Sequence, residues 1–135
     1  SGEDIAILTI GHIGNYAIDA CKALEKDHID AAHYDIRFVK PLDNLLLHEI
    51  FAKFKHIITV EDGCLMGGMG SAISEFMIDN DYSSKITRLG IPDSYIEHGS
   101  QAELHKECFY DTDAIIETVK KVVSKTTGKV TSKIA

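Results

Sequence analysis

The chain has 135 residues, the size of a single domain with one hydrophobic core. Hydrophobic residues make up 44% of it and charged residues 26%, ordinary globular values that exclude disordered and fibrous classes. The formal net charge is −7 and no dense cluster of lysine or arginine interrupts it, so neither nucleic acid nor an anionic membrane is expected as a partner. No apolar run approaches the ~20 residues of a membrane span. The 3 widely spaced cysteines indicate reduced thiols in a cytoplasmic protein.

The first elements alternate between two apolar patterns along the chain. Nearly continuous apolar runs are typical of parallel strands covered on both faces, and they predict strands at Ile5–Ile10, Ala31–Phe38, Ile57–Glu61 and Ile86–Leu89. Apolar residues spaced three and four apart predict helices at about 15–26, after Asp43 as N-cap, and at 71–79. Strands that alternate with helices imply a three-layer α/β/α fold with a mostly parallel sheet.

After the fourth predicted strand the chain contains glycine and proline residues that interrupt regular structure, and it ends with a polar tail. Residues 100–103 have the Ser-x-x-Glu pattern of a capping box, which predicts a short helix to about Cys108. Residues 111–113 then cap a last helix. We predict one domain over residues 1–124 and a flexible, Lys/Thr-rich tail over residues 125–135.

Strands that alternate with helices imply right-handed crossovers, and we place the first strand centrally, with the second strand on one side and the third on the other. The expected strand order is therefore 2-1-3-4. In such sheets ligands bind where the order reverses, which here is the gap between strands one and three. Its two rims are residues 11–15, which include His12, and the glycine-rich loop after the third strand.

The glycine-rich loop is the strongest local signal in the chain. Its glycines Gly67, Gly68 and Gly70 precede a helix N-terminus, followed by Ser71, and backbone N–H groups there could hold an anion. However, the loop has neither the G-x-G-x-x-G spacing nor the P-loop lysine. The neighbouring carboxylates, at positions 61 and 62, would repel a phosphate. We therefore favour tight packing or an interface over phosphate binding.

Histidine and arginine provide a few further candidates. None of the 7 histidines has the spacing of a metal site. His12 and His98 lie beside glycine in loops near the expected strand-end face, where an imidazole could contact a ligand or a partner domain. Arg37, at the end of the second strand, is the best single anion contact, although a structural ion pair is the more common role for such a residue.

Three separate motifs resemble one family in their order and spacing. They are residues 37–43 (Arg-Phe-Val-Lys-Pro-Leu-Asp), residues 59–71 (Thr-Val-Glu-Asp-Gly through Gly-Gly-Met-Gly-Ser), and residues 89–100 (Leu-Gly-Ile-Pro-Asp through His-Gly-Ser). Together they resemble the C-terminal domain of the 1-deoxy-D-xylulose-5-phosphate synthases, within the transketolase superfamily, over about residues 3–123.

The resemblance implies a parent enzyme whose chemistry takes place in other domains. Such an enzyme joins pyruvate to glyceraldehyde 3-phosphate and releases CO₂, using thiamin diphosphate and Mg²⁺, in isoprenoid precursor and thiamine biosynthesis. The cofactors and the activating glutamate belong to the preceding domains, so no cofactor, metal or catalytic residue is expected in this chain, and it should be inactive alone. The expected partners are the preceding domains of the same polypeptide, within a homodimer, and an additional antiparallel edge strand usually opens the domain.

The candidate interdomain or interface contacts follow from this resemblance and from the loop positions. They are Glu61, Asp62, Gly67, Gly68, Gly70, Ser71, His12, His98 and Arg37. Two alternatives stay open: the C-terminal domain of a transketolase or of a 2-oxoacid dehydrogenase β subunit, and a stand-alone flavodoxin-like module that binds a small anion.

Overall fold

The computed structural model describes residues 4–37, 41–64, 68–91 and 111–134. Within them, the side chains of 62–64, 91 and 126–134 are not described. The described strands form one parallel sheet in the order β2-β1-β3-β4, which confirms the predicted topology. The strands are β1 (Ile5–Thr9), β2 (Ala31–Asp35), β3 (His56–Cys64) and β4 (Lys85–Ile91).

Helices connect the strands at the expected places. A 3-10 turn at Gly11–Ile13 follows β1 and leads directly into α1 (Gly14–Glu25). The other described helices are α2 (Asn44–Lys53), α3 (Met69–Asp79) and α4 (Thr112–Ile134). Asp43 caps α2 as predicted, because its Oδ1 accepts the backbone N–H of Leu46 at 3.1 Å. Asp111 does the same for α4, where its Oδ1 accepts the N–H of Ala114 at 3.0 Å.

The two faces of the sheet carry separate apolar clusters, which gives the three predicted layers. On one face α1 and α4 cover the odd-numbered residues of β1, and on the other α2 and α3 cover the even-numbered ones. Each helix contributes fully buried aliphatic side chains to its cluster, such as Leu24 of α1, Val119 of α4, Leu47 of α2 and Ile73 of α3. β1 has buried side chains along its whole length, as a central strand covered on both faces requires.

Some predicted boundaries differ from the observed ones. β2 ends at Asp35, before the predicted limit at Phe38, and β3 is longer than predicted because a register irregularity between Val60 and Cys64 carries it past Glu61. Helix α4 runs through Ile134, so residues 125–134, which we assigned to the tail, are helical here. The division of the chain at residue 124 stays a prediction. The predicted short helix at 100–108 lies outside the described residues.

Two further observations concern the cysteines and the possibility of a membrane-spanning helix. Cys21 is a free thiol, partly buried on α1, and burial raises its pKa, so the thiol form is favoured there. No helix in the described part of the chain is long and apolar enough to cross a membrane.

Candidate functional site at the carboxyl edge of the sheet

The crevice between β1 and β3 opens at the carboxyl edge of the sheet, where the strand order reverses. The 3-10 turn after β1 forms one side, and the end of β3 with the start of α3 forms the other. Gly11 adopts a φ of +74°, in the left-handed region, so that β1 can turn sharply into this rim.

Glu61 is buried and holds the first turn of α3. Glu61 is only 4% exposed to solvent. Oε1 accepts the backbone N–H of Met69 at 2.8 Å, and Oε2 accepts that of Gly70 at 2.7 Å. The N-cap residue, Gly68, has no side chain to satisfy these donors. The Glu61 carboxylate, from the preceding strand, therefore caps α3, and the helix dipole favours the negative charge of this carboxylate.

Gly70 allows α3 to approach the sheet closely. A Cβ atom at this position would lie 2.7 Å from Thr59 Oγ1, 3.0 Å from Arg88 Cδ and 3.1 Å from Arg88 Cγ. Thr59 and Arg88 are direct neighbours in the β3–β4 register, so together they form the surface on which the helix start rests. Arg88 continues past the glycine, and its Nη1 donates to Ser71 Oγ at 3.1 Å.

The hydroxyl of Thr59 is enclosed by this close approach. Thr59 is 0% exposed, and its Oγ1 has no hydrogen-bond partner within the described residues. A Cβ added at Gly70 would lie 2.7 Å from this oxygen, so the start of α3 packs closely over it. A hydroxyl buried without a hydrogen bond costs free energy, because its hydration is lost.

This geometry does not fit a bound phosphate or diphosphate. The N–H groups that would hold such an anion at the start of α3 already donate to the Glu61 carboxylate. A phosphate placed there would also lie against a buried negative charge. In addition, the described residues contain no group of His, Cys, Asp and Glu that could hold a metal ion.

A second polar contact lies under the start of α1. Thr9 Oγ1 and His33 Nε2 form a hydrogen bond of 2.7 Å between β1 and β2. A Cβ at Gly14 would lie 3.2 Å from Thr9 Oγ1, so this glycine also brings a helix start close to the sheet. Burial lowers the pKa of the His33 imidazole, and the negative charge of Asp35 opposes this in part.

Among the other predicted contacts, the structure describes the side chains of His12 and Arg37. His12 is exposed in the 3-10 turn. Arg37 is exposed beyond the end of β2, on the opposite side of β1 from the glycine-rich loop. Asp62 lies in β3, but its side chain is not described, and Gly67 and His98 lie outside the described residues. The structure thus brings Glu61, Gly68, Gly70 and Ser71 into one cluster.

Several residues of this edge were missed by the sequence reasoning. Arg88 and Thr59 are not part of any local sequence motif. Only the β3–β4 register shows that they lie side by side under α3. His33 and Thr9 are separated by 24 positions, and their pairing depends on the β1–β2 register. Glu61 was considered only as a group that repels phosphate and as an interface contact. Its capping role could have been suggested by the sequence, because a carboxylate shortly before a helix that lacks a capping side chain is a candidate cap.

The chain matches the family described as transketolase, C-terminal domain, over residues 1–115. It belongs to the transketolase C-terminal domain family. A relative named 1-deoxy-D-xylulose-5-phosphate synthase, from Cytophaga hutchinsonii, is 60% identical over 121 residues, covering 90% of this chain and 19% of the relative. Relatives of the same name from Bacteroides fragilis and Geobacillus sp. are 51% and 42% identical, over 89% and 92% of this chain and 19% and 20% of their own lengths.

Solved structures show the same fold. A chain described as split gene transketolase, inactive beta4 tetramer, superposes with a TM-score of 0.83 and is 27% identical, covering 92% of this chain and 40% of that one. A transketolase from Pichia stipitis superposes with a TM-score of 0.67 at 20% identity, over 95% of this chain and 17% of its own. The chain therefore has the transketolase C-terminal fold and spans about a fifth of the length of its named relatives.

Proposed function

We propose that this chain is the C-terminal domain of a 1-deoxy-D-xylulose-5-phosphate synthase, an enzyme that forms 1-deoxy-D-xylulose 5-phosphate and CO₂ from pyruvate and glyceraldehyde 3-phosphate. The identities of 60% and 51% to two relatives of that name support the assignment. The parent would be a cytoplasmic, homodimeric transferase of isoprenoid precursor biosynthesis. Thiamin diphosphate and Mg²⁺ would be held by its other domains.

The role of this domain in the parent is structural. The observation that supports this role is the Glu61 carboxylate, which occupies both of the N–H groups that a ligand anion would need at the start of α3. The start of α3, at Met69 and Gly70, is therefore bound by a side chain of its own domain. The exposed parts of the carboxyl edge, including His12 and Arg37, are left to contact the preceding domains or the second subunit.

A chimeric enzyme tests the proposed reaction. The matching C-terminal segment of the Cytophaga hutchinsonii synthase is replaced by this chain, and formation of 1-deoxy-D-xylulose 5-phosphate is measured. We expect activity in the chimera and none in a matched enzyme that lacks the segment. A folded, dimeric chimera without activity would contradict the assignment, and turnover of ketose phosphates instead would favour a transketolase.

Calorimetry on the chain alone tests the structural role against the anion-binding alternative. Thiamin diphosphate, inorganic phosphate and a nucleotide are titrated separately into the purified chain. We expect no saturable heat, because the backbone N–H groups at the start of α3 already donate to the Glu61 carboxylate. Micromolar binding of any of the three would favour a flavodoxin-like anion-binding module.

A further inference from the structure

The amino edge of the sheet, opposite the crevice, carries segregated charges. Asp4 precedes β1 and Asp30 precedes β2, whereas Lys55 precedes β3 and Lys85 begins β4. In the strand order β2-β1-β3-β4 these four exposed residues follow one another along the edge, so two negative charges lie beside two positive ones. The net charge of the chain is −7 and its sequence contains no dense basic cluster, so the fold alone assembles this positive half.

The positive half borders a cavity of about 620 Å³ between the loop before β3 and the loop before β4. The described residues that line it include three lysines, two aromatic rings and one carboxylate, namely Lys53, Lys55, Lys85, Phe51, Tyr82 and Asp81. The Phe51 and Tyr82 rings stack with their centroids 5.1 Å apart, which gives the cavity an apolar side next to its charges. We call the cavity with its three lysines the lysine pocket.

The charges of the lysine pocket are not compensated within the described part of the chain. None of its three lysines forms an ion pair with a described residue. Lys53 Nζ lies 5.2 Å from the centre of the Phe54 ring, a cation–π contact that leaves the positive charge in place. Helix α2 ends at Lys53, where the helix dipole favours a cation, but Lys55 and Lys85 lie outside the helices. Like charges gathered in this way repel one another, and an anion among them removes that repulsion.

Hydrogen bonds hold the two loops of the lysine pocket together. The backbone N–H of Lys85 donates to the carbonyl oxygen of Lys55 at 2.7 Å, and Ser84 Oγ donates to the carbonyl oxygen of Phe54 at 2.8 Å. The backbones that carry Lys55 and Lys85 are therefore fixed to each other. A partner that binds here orders the lysine side chains and does not have to order the loops, which lowers the entropic cost of binding.

We infer that the lysine pocket binds a short segment of another protein that is rich in glutamate and aspartate. This inference goes beyond the proposed function and does not depend on the reaction of the parent enzyme. Carboxylates are the anions that isolated ammonium groups pair with in proteins, and several of them in one segment match the three lysines.

Phosphate-bearing ligands fit the lysine pocket less well. Arginine, which recognises phosphate through two parallel hydrogen bonds, is absent from the described residues that line it. Helices α2 and α3 end at this edge, so neither offers the N–H groups of a helix start to a phosphate. A nucleic acid would in addition extend over the acidic half, where Asp4 and Asp30 repel a long polyanion. The same two carboxylates limit a bound acidic segment to the positive half.

Fluorescence anisotropy with a labelled decaglutamate peptide tests the lysine pocket. We expect saturable binding to the purified chain at about 50 mM sodium chloride and weaker binding at about 300 mM, because salt screens exposed charges. The double substitution Lys55→Ala with Lys85→Ala should weaken the affinity about tenfold, the effect of two exposed ion pairs of ordinary strength. Absence of saturable binding to the wild-type chain, or an unchanged affinity of the double variant, would overturn the inference.

A second double variant controls for net charge. Lys22→Ala with Lys26→Ala removes the same number of positive charges from α1 and the residue after it, on the other face of the sheet. All four lysines are exposed, so both double variants should unfold at the urea concentration of the wild-type chain. The control should bind decaglutamate as the wild-type chain does. An equal loss of affinity in the two variants would show that the peptide responds to net charge alone, which would overturn the inference.

Two further measurements test the class of partner. A labelled decathymidylate, a polyanion with phosphate groups, should bind more weakly than decaglutamate, and equal or tighter binding would assign the pocket to nucleic acid instead. The chimeric synthase should bind decaglutamate with the same dependence on Lys55 and Lys85 as the chain alone. Loss of that binding in the chimera would show that the amino edge is covered within the parent enzyme, and it would overturn the assignment to another protein. An inactive chimera that binds the peptide would refute the proposed reaction and support the lysine pocket.

Discussion

The backbone N–H of Gly70 donates to Glu61 Oε2 over 2.7 Å, joining the end of β3 to the first turn of α3. Glu61 also accepts the N–H of Met69, so one buried carboxylate satisfies two of the four donors that a helix start leaves open. At the same residue, Gly70 allows the helix to rest on Thr59 and Arg88. The position of the start of α3 is therefore determined by two contacts, the hydrogen bonds to the Glu61 carboxylate and the close packing of Gly70 on the sheet.

Glu61→Gln should destabilise the domain strongly. The amide can accept through one oxygen only, and its NH₂ group would face a backbone N–H donor in a buried site. We expect the free energy of unfolding to fall by about 3 kcal/mol, measured by urea denaturation.

Glu75→Gln is the control for this change, because Glu75 is an exposed carboxylate on the same helix. Its effect should stay within about 0.5 kcal/mol. If the two substitutions have the same effect, the Glu61 contacts do not stabilise α3.

Gly70→Ala should destabilise the domain although alanine favours helices. Helix propensity alone would favour alanine by about 1 kcal/mol. The new Cβ, however, would lie 2.7 Å from Thr59 Oγ1, so the helix start must move away from the sheet. We expect a net loss of about 1–3 kcal/mol in chemical denaturation.

A double-mutant cycle identifies the cause of that loss. Thr59→Ala removes the atom nearest to the new Cβ, so Gly70→Ala should cost less in this background than in the wild-type protein. Purely additive free energies would show that the clash is not with Thr59.

Thr59→Val should be neutral or stabilising, whereas Thr9→Val should destabilise. Both threonines are 0% exposed, but among the residues that the structure describes only the hydroxyl of Thr9 has a hydrogen-bond partner, His33. Replacing the unpaired hydroxyl by a methyl group removes a desolvated polar atom, with a gain of up to about 1 kcal/mol. Replacing the paired one leaves His33 Nε2 without its partner, at a cost of about 1–2 kcal/mol. Thermal and urea unfolding of the two variants measure the contrast, and a loss for both would refute it.

His33 should make the domain less stable in mild acid. Burial lowers its pKa below the value in the unfolded chain, so the unfolded state binds a proton more readily. The contribution to stability is present above the ordinary histidine pKa of about 6.5 and is lost as the pH falls through that value towards the lower, folded one.

Urea unfolding at pH 7.5 and pH 5.5 measures this dependence in the wild-type protein and in His33→Gln. The wild-type protein should lose more stability between the two values than the variant does. The comparison is needed because the chain has 7 histidines, and the variant isolates the contribution of His33. An equal loss in both proteins would show that folding does not lower the pKa of His33.

Local patterns were sufficient to predict most of the fold. The apolar runs and the caps at Asp43 and Asp111 placed strands and helices, and the model with the first strand in the centre has the observed strand order. Boundaries were less accurate where tertiary contacts decide them. β3 continues past Glu61 through an irregular register, and no local feature of the sequence predicts such an extension.

The chemistry at the start of α3 was only partly predicted. The sequence indicated that the acidic neighbours of the glycine-rich loop disfavour phosphate, but it did not show where the Glu61 carboxylate binds. Glu61 and Gly70 are nine residues apart, and no local pattern in the sequence indicates their contact. The role of these residues as interface contacts stays a prediction.

The sequence alone determined the class of fold, because it follows from apolar periodicity, and the strand order that we predicted is the observed one. Only the tertiary structure decided what fills the start of α3. Strand register brings Thr59 and Arg88 side by side under Gly70, and the end of β3 directs Glu61 onto the helix. Burial removes competing water from these contacts, so a charge that was expected to repel a ligand instead caps the helix of its own domain.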